Sequence, residues 1–294
     1  RPATLLEEHR TNAEGSGAMK SELGGKGAGL AEMTNLGLPV PPGFTVTTGA
    51  CSWFFNNDRQ WPEGLEAEVE SAVANLEAST GKRFGDCEGP LLVSVRSGAA
   101  VSMPGMMDTV LNLGLNDETV VALVERSGNA TFAWDSYRRF VQMFGDVVLG
   151  IHYTRFSKAQ EAFCAGRQVS DLDASALQEL TGVLKGVVAQ AGHEFPQDPK
   201  TQLRLAIDAV FNSYNSHRAR YYRKTQGIPD SAGTGVNVQA MVFGNMGDGS
   251  ATGVAFTRNP KSGKFGLFGE WLANAQGEDV VAGIRTPLPI NGNS

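Results

Sequence analysis

The spacing of apolar positions in the first part of the chain predicts a mixture of helices and strands. Leu91–Val95 is a short apolar run rich in β-forming residues, closed off near Gly98, and it predicts a buried strand; Val110–Leu115 predicts another. Upstream, apolar residues from Leu65 to Leu76 recur at helical spacing with glutamates interleaved, which predicts an amphipathic helix. This part of the chain is therefore expected to be mixed α/β.

The pattern becomes mainly helical between about residues 133 and 227. Asp198 and Pro199 form a good helix start, because an aspartate accepts hydrogen bonds from free amides and proline suits the first turn. The residues that follow keep an apolar face at helical spacing, and Gly227 is the type of residue that often follows the last residue of a helix. The sequence therefore predicts a helix that starts at Pro199 and ends just before Gly227.

From residue 236 the period changes to that of strands. Val236–Phe243 and Gly253–Thr257 are strand-like, and Gly266–Phe268 begins a third strand. Glycine-containing turns separate these segments, which indicates an antiparallel sheet. The order along the chain is thus mixed α/β, then helical, then β.

Composition narrows the classes of function. The 294 residues are 41% hydrophobic and 19% charged, as expected of a soluble globular protein, and no apolar run is long enough to span a membrane. The net charge is −6, and the short basic cluster from Arg218 to Lys224 is interpreted as a solvated helix end, so no nucleic-acid partner is expected. Cys51, Cys87 and Cys164 fit neither a disulfide framework nor a CxxC metal site, which favours the cytoplasm.

A glycine-rich segment, Leu23–Leu30, carries a single lysine, Lys26. Glycines let the backbone approach a ligand closely and expose its amides, and a lysine among them offers a point charge for phosphate. The segment matches neither the P-loop pattern nor GxGxxG. A flexible turn before a helix around Ala31–Met33 remains an equal interpretation.

Two arginine-containing segments are further candidates for phosphate binding. Arg96 leaves a strand tip and enters a glycine loop whose methionines suggest a mobile apolar cover, although the loop could instead pack on the core. Arg138 and Arg139 follow Asp135 on a predicted helix and point in different directions, so at most one of them faces a site; plain surface charge is the alternative.

Two later segments could complete a nucleotide site. Gln239–Val242 could offer the apolar wall and backbone groups that an adenine needs, or be a plain core strand. Glu270, Glu278 and Asp279 lie among amides after a strand, and such oxygen ligands suit Mg²⁺, although solvated acids would look the same. Glycine loops, isolated cations and a carboxylate cluster together fit phosphoryl transfer, where catalysis is mostly positioning and charge neutralisation.

These segments occur together and in order, and they resemble the nucleotide-binding region of the pyruvate phosphate dikinase family over about residues 18–289. The strings that carry the resemblance are LGGKGAGLAEM (23–33), VSVRSGAAVSMPGMMDT (93–109), DSYRRFVQMF (135–144), FPQDP (195–199), VNVQAMVFGN (236–245) and NAQGEDVVAGIRTP (274–287).

The resemblance implies an α+β, ATP-grasp-like fold of two subdomains with a helical insertion. Residues 18–115 would form the first subdomain with the phosphate-binding loops, 116–230 the helical segment, and 231–290 a second β-rich subdomain, incomplete at its C-terminal end. The resemblance also implies a reaction in which ATP, phosphate and pyruvate give AMP, pyrophosphate and phosphoenolpyruvate. In that family the ATP-grasp domain binds Mg-ATP and phosphorylates a histidine on a separate domain, which then meets a pyruvate-binding barrel, usually in a homodimer.

The resemblance assigns roles by position in this sequence. The cations Lys26 and Arg96 resemble phosphate-binding, catalytic residues, and Arg139 resembles another phosphate ligand. The remaining expected nucleotide-binding residues are the loop residues Ser102, Met103, Gly105 and Met106, the adenine hinge residues Gln239, Met241 and Val242, and the acidic residues Glu270, Glu278 and Asp279.

The chain also departs from the family pattern. His9, His152, His193 and His217 do not match the phosphorylated histidine, and the strands that complete the Mg²⁺ ligand set in the family are not expected in these 294 residues. The chain is therefore expected to be inactive alone, with no complete metal site. A phosphoenolpyruvate synthase-like protein and a natural non-catalytic nucleotide-binding module are the alternatives.

Overall fold

The computed structural model describes residues 13–281 and 285–291 together with the backbone of residues 3–6, except for the side chains of Ser231, Glu278 and Val281. It has the α+β architecture that the sequence predicts. Among these residues, none of the helices is long and apolar enough to cross a membrane.

The first sheet has five antiparallel strands in the order β1-β2-β5-β3-β4. The strands are β1 (Ala3–Leu6), β2 (Gly43–Val46), β3 (Val93–Ala99), β4 (Thr109–Leu113) and β5 (Thr234–Ala240). One cross-strand row aligns Thr45, Asn237, Arg96 and Thr109. Because side chains alternate along a strand, this polar row lies on one face while valines at the neighbouring positions point to the other.

The α-helices of the described chain pack on the first sheet, on one another and, for the last of them, on the second sheet. They are α1 (Lys20–Asn35), α2 (Thr48–Asn56), α3 (Leu65–Thr80), α4 (Thr119–Ser127), α5 (Ala130–Val147), α6 (Tyr153–Cys164), α7 (Ala174–Gln190), α8 (Pro199–Tyr214), α9 (His217–Gln226) and α10 (Gly277–Val281). One large core joins the valine face of the sheet to α2, α3, α5, α7 and α8. Within it, the ring of Phe195 packs edge-on against Phe140 and Phe144.

The helix predicted after Pro199 proves to be two helices. The Asp198 side chain accepts hydrogen bonds from the backbone N–H groups of Lys200 and Thr201, which confirms the predicted start. However, α8 ends at Tyr214, and Ser216 starts α9 by accepting a hydrogen bond from the N–H of Ala219. A serine that caps a new helix competes with continuation of the old one, so the prediction of a single helix was wrong.

A buried glutamine ties the helical part to the sheet. Gln202 on α8 is fully buried, and its Oε1 accepts a hydrogen bond of 3.0 Å from the N–H of Gly114. Its Nε2 donates to the carbonyls of Leu115 and Pro196, at 3.0 and 2.8 Å. These bonds satisfy backbone groups of Gly114 and Leu115, just after β4, and of Pro196, just before α8.

The second sheet contains β6 (Ala251–Arg258), β7 (Phe265–Ala273) and β8 (Leu288–Pro289), in the order β6-β7-β8. The sequence predicts that the strand starting at Val236 pairs with these strands, and that prediction was wrong. β5 ends at Ala240 and lies between β2 and β3, because its alternate valines complete the large core. The second sheet keeps large apolar side chains exposed, including those of Phe256, Phe265 and Phe268.

Candidate functional site

The glycines of α1 bring a helix unusually close to the first sheet. Gly24 has φ +69° and ψ 170°, and a Cβ placed there would lie 1.4 Å from the carbonyl oxygen of Gly98 on β3. A Cβ on Gly27 would lie 2.9 Å from the hydroxyl of Thr45. The interpretation as a turn before a helix was wrong, since α1 begins at Lys20 and the glycines lie within it, with a kink at Gly24.

This close packing places two cations side by side. Lys26 on α1 and Arg96 on β3 are both exposed, and both line a cavity of about 230 Å³ together with Asn237 and Gln239. Partial burial, followed by the nearby charge of Arg96, lowers the pKa of Lys26 below its ordinary value. An anion between the two side chains would relieve this repulsion.

Lys26 also lines a second, larger cavity of about 720 Å³ between α1 and the loop that joins β3 to β4. Among the predicted loop residues, Ser102, Met103 and Gly105 line this cavity, whereas Met106 does not. Across the described lining of both cavities there is no carboxylate, so Lys20, Lys26 and Arg96 set the local charge.

The loop over the larger cavity packs on its own small apolar cluster. Met103 is 5% exposed and packs with Ala99 and Tyr214, while Met106 and Met107 flank the cluster. The loop is therefore packed, as the alternative interpretation has it, but on this small cluster rather than on the large core. The cluster is separate from the main core, so the loop rests on α8 and α9.

Arg138 and Arg139 are both compensated by carboxylates. Both pair with Asp135, and Arg139 also donates to Asp279 at 3.1 Å. Burial alone would raise the pKa of Asp135, but the two arginines hold it below its ordinary value. Burial would lower the pKa of Arg139, but Asp135 and Asp279 raise it. Arg139 lines neither of the two cavities described above.

The predicted adenine-binding residues separate in the structure. Gln239 lines the smaller cavity and donates from Nε2 to the carbonyl of Pro41 at 2.9 Å. Met241 lies beyond the end of β5, packs partly against the core, and donates its N–H to the carbonyl of Leu92 at 2.9 Å. Val242 is 75% exposed.

The acidic residues do not converge on Lys26. Glu270 is exposed on β7, while Asp279 is buried against Arg139 and accepts a hydrogen bond of 2.9 Å from the N–H of Gln276. The side chain of Glu278 lies outside the described residues. In the described part of the chain, no group of three or more acidic, histidine or cysteine side chains could hold a metal ion.

Sequence reasoning missed several residues that line the cavities, namely Lys20, Ser97, Thr109 and Asn237. Asn237 accepts a hydrogen bond of 2.9 Å from the Thr45 hydroxyl and lies beside Arg96 in the cross-strand row. The signal was present in the sequence, since Asn237 is two residues before Gln239 and therefore shares its face of the strand.

The α+β fold, with a glycine-lined cleft that carries paired cations, is that of an ATP-grasp-like nucleotide-binding domain. A profile of the family described as "Pyruvate phosphate dikinase, AMP/ATP-binding domain" matches residues 20–61 and 55–290. The chain therefore belongs to the pyruvate phosphate dikinase AMP/ATP-binding domain family.

Individual relatives are similar along nearly the whole chain. The chain is 56% identical over 282 residues to the pyruvate, phosphate dikinase of Rhizobium meliloti (strain 1021), covering 95% of this chain and 31% of that protein. It is 54% identical over 282 residues to that of Clostridium symbiosum, covering 94% and 32%, and 55% identical over 300 residues to the chloroplastic dikinase 1 of Arabidopsis thaliana, covering 99% and 31%. The chain thus spans about a third of the length of these relatives.

Proposed function

We propose that the cleft between α1 and β3 binds the polyphosphate of ATP, as the nucleotide-binding part of a pyruvate phosphate dikinase. The observation that carries the proposal is the pair of exposed cations, Lys26 and Arg96, in cavities without a carboxylate among their described lining residues. Two uncompensated charges at close range favour an anionic ligand, and charge-assisted bonds to phosphate are the strong ones.

The larger cavity suits the phosphates. Its volume of about 720 Å³ falls within the range of small-molecule sites, and the loop residues Ser102, Met103 and Gly105 cover it opposite Lys26. We assign this loop, including Met106, to the terminal phosphates. Backbone amides and hydroxyls there would donate to phosphate oxygens, and the lysine would supply charge.

The smaller cavity suits the base together with the phosphate nearest to it, because Lys26 and Arg96 also line this cavity. Leu30 and Met33 give it apolar walls, and Gln239 supplies an amide at its edge. We extend the adenine-binding segment through Met241 to Val242, whose exposed side chain leaves it accessible. Arg139, Glu270, Glu278 and Asp279 stay in the proposal as outer residues of the nucleotide site, since Arg139, Glu270 and Asp279 line neither cavity. The pairing of Arg139 with Asp279 supports a role in holding this acidic segment rather than direct contact with phosphate.

Magnesium would enter with the nucleotide. The described lining of the two cavities offers it no carboxylate, so the residues present do not form a metal site of their own. A magnesium ion is commonly held by substrate phosphates and water, and this chain would then bind the complex through its cations.

The complete activity belongs to a longer protein in this proposal. Transfer of a phosphoryl group from ATP to a histidine of another domain, and from there to pyruvate, requires parts that lie in the remaining two thirds of the relatives. The use of phosphate as a co-substrate and the formation of a homodimer are likewise proposed for that longer protein. A cytoplasmic location also stays a proposal, and the three free thiols support a reducing compartment.

Calorimetric titration with Mg-ATP tests the proposal. Lys26→Ala and Arg96→Ala should each weaken binding about 10- to 100-fold, the range expected for one charged hydrogen bond. Lys82→Ala is the matched control, because Lys82 is exposed just after α3 and lines neither cavity. Equal affinity of all three variants and the parent chain would place the nucleotide elsewhere and refute the proposal.

A further inference from the structure

The loop over the larger cavity, residues 100–108, presents two different sides. Gly105, Met107 and Thr109 line the cavity. Between them, the carbonyl of Met106 and the carboxylate of Asp108 turn the other way, towards α9. Contacts to the Met106 carbonyl and the Asp108 carboxylate, on the side away from the cavity, can therefore fix the position of the residues that line the cavity.

Arg218, in the first turn of α9, binds both groups. Its Nε donates to the carbonyl of Met106 at 3.1 Å, and its Nη2 donates to the carboxylate of Asp108. Ser213 on α8 adds a third contact by accepting a hydrogen bond of 3.3 Å from the N–H of Asp108. The planar guanidinium fork suits two acceptors at a fixed angle, which a lysine cannot reproduce.

Asp108 depends on this arginine. The carboxylate is largely shielded from solvent, and that burial raises its pKa while Arg218 opposes the shift. Loss of Arg218 would leave this largely buried carboxylate without its cation, so this end of the loop would be pushed outward into water. The apolar cluster under Met103 and the single hydrogen bond from Asp108 to Ser213 would then be left to hold the loop.

The basic cluster on α9 has divided roles. Arg223 is fully buried and stacks over the ring of Tyr214, so it acts in the fold of α8 and α9. Arg220 and Lys224 are exposed. Only Arg218 of these four reaches the loop through a described contact.

We propose that Arg218 is a positioning residue for ATP binding, which acts through Asp108 and Met106 to hold the loop over the phosphates. This inference rests on the proposed function of the cleft. Arg218 itself does not line the cavity, so it would act without touching the nucleotide.

Two measurements on the same variants test the inference. Hydrogen exchange of peptides that cover residues 100–108 reports the loop without any nucleotide. Titrations with Mg-ATP and with AMP then separate the terminal phosphates from the rest of the ligand. Arg218→Ala should speed exchange of the loop about tenfold or more and weaken Mg-ATP about tenfold, with AMP binding nearly unchanged. Arg218→Lys should give exchange rates and Mg-ATP affinities between those of the parent chain and Arg218→Ala. Arg220→Ala, on the same helix and with the same change of charge, should match the parent chain in both measurements.

The two readouts distinguish the possible failures. Unchanged loop exchange in Arg218→Ala would overturn the positioning role, whatever the nucleotide does. Faster exchange with unchanged Mg-ATP affinity would overturn the link from loop position to phosphate binding. Equal losses for Mg-ATP and AMP would indicate a general structural effect and also overturn the inference. Failure of the parent chain to bind Mg-ATP would instead sink the proposed function, while exchange would still decide whether Arg218 holds the loop.

Discussion

Two glycines on one helix should respond in opposite ways to the same substitution. Gly24→Ala puts a methyl group where α1 touches β3, whereas Gly29→Ala, five residues later on α1, adds a methyl group with no atom within 4 Å. Both changes replace hydrogen with the same methyl group. Their difference therefore isolates the close approach of the helix to the sheet.

The loss at Gly24 has two parts. Its backbone, at φ +69° and ψ 170°, lies in a region that is essentially restricted to glycine, which costs an alanine about 1–3 kcal/mol. The methyl group also overlaps the carbonyl of Gly98, and overpacking of this kind costs about 1–3 kcal/mol more. The expected loss of about 2–6 kcal/mol is a large share of the ~5–15 kcal/mol that holds a domain folded. At Gly29, alanine should instead gain about 0.5–1 kcal/mol from its helix propensity.

Urea denaturation followed by circular dichroism would measure both effects. The midpoint should fall for Gly24→Ala and rise slightly for Gly29→Ala, with an unchanged slope, because neither substitution alters the surface exposed on unfolding. Gly182→Ala, on an exposed part of α7 with no atom within 4 Å, should behave like Gly29→Ala and checks the propensity term away from the site. Equal midpoints for Gly24→Ala and the parent chain would refute the argument that glycine is required there.

Three further outcomes are expected from the charges and buried polar groups. Burial and Arg96 lower the pKa of Lys26, so the folded chain disfavours the charged form of this side chain. The free energy of unfolding should therefore rise as the pH increases through this lowered pKa towards 10.5. Urea midpoints measured against pH should show this rise, and Lys26→Met should flatten it. Arg139→Met should cost about 1–3 kcal/mol by leaving the buried Asp279 without its cation, with a smaller loss for Arg139→Lys; no difference between the two variants in thermal unfolding would contradict this reasoning. Gln202→Leu should cost about 3 kcal/mol, seen as a lower urea midpoint, since it leaves buried backbone groups without partners.

The sequence predicts local structure well where short-range chemistry decides it. The helix around Leu65–Leu76, the strand around Val93 and the cap at Asp198 all follow from spacing and side-chain hydrogen bonding, and all are present. Ser216 could have been recognised as a second cap. The spacing of apolar residues does not reveal this cap, because the cap depends on the Ser216 hydroxyl accepting a hydrogen bond from the N–H of Ala219.

Pairing between distant segments could not be predicted in this way. The placement of β5 between β2 and β3 depends on which part of the core its valines pack against. The residue pattern of one strand does not show which other strands it pairs with. Likewise, the sequence shows an arginine at position 139 but does not show that it forms ion pairs with two carboxylates. The position of Lys26 beside Arg96 depended on glycines whose role proved to be close packing rather than a flexible loop.

The second sheet also bears on the cooperativity of unfolding. Most of β6 and β7 is exposed, and Phe256 and Phe268 are opposite each other in the strand register without burial in the large core. A sheet that buries so little apolar surface gains little free energy from folding, so it should open at denaturant concentrations that leave the first sheet intact. Trp271 lies on β7, whereas Trp61 and Trp134 pack against the large core. A chain that keeps only Trp271 should therefore report an earlier and broader transition than one that keeps only Trp134.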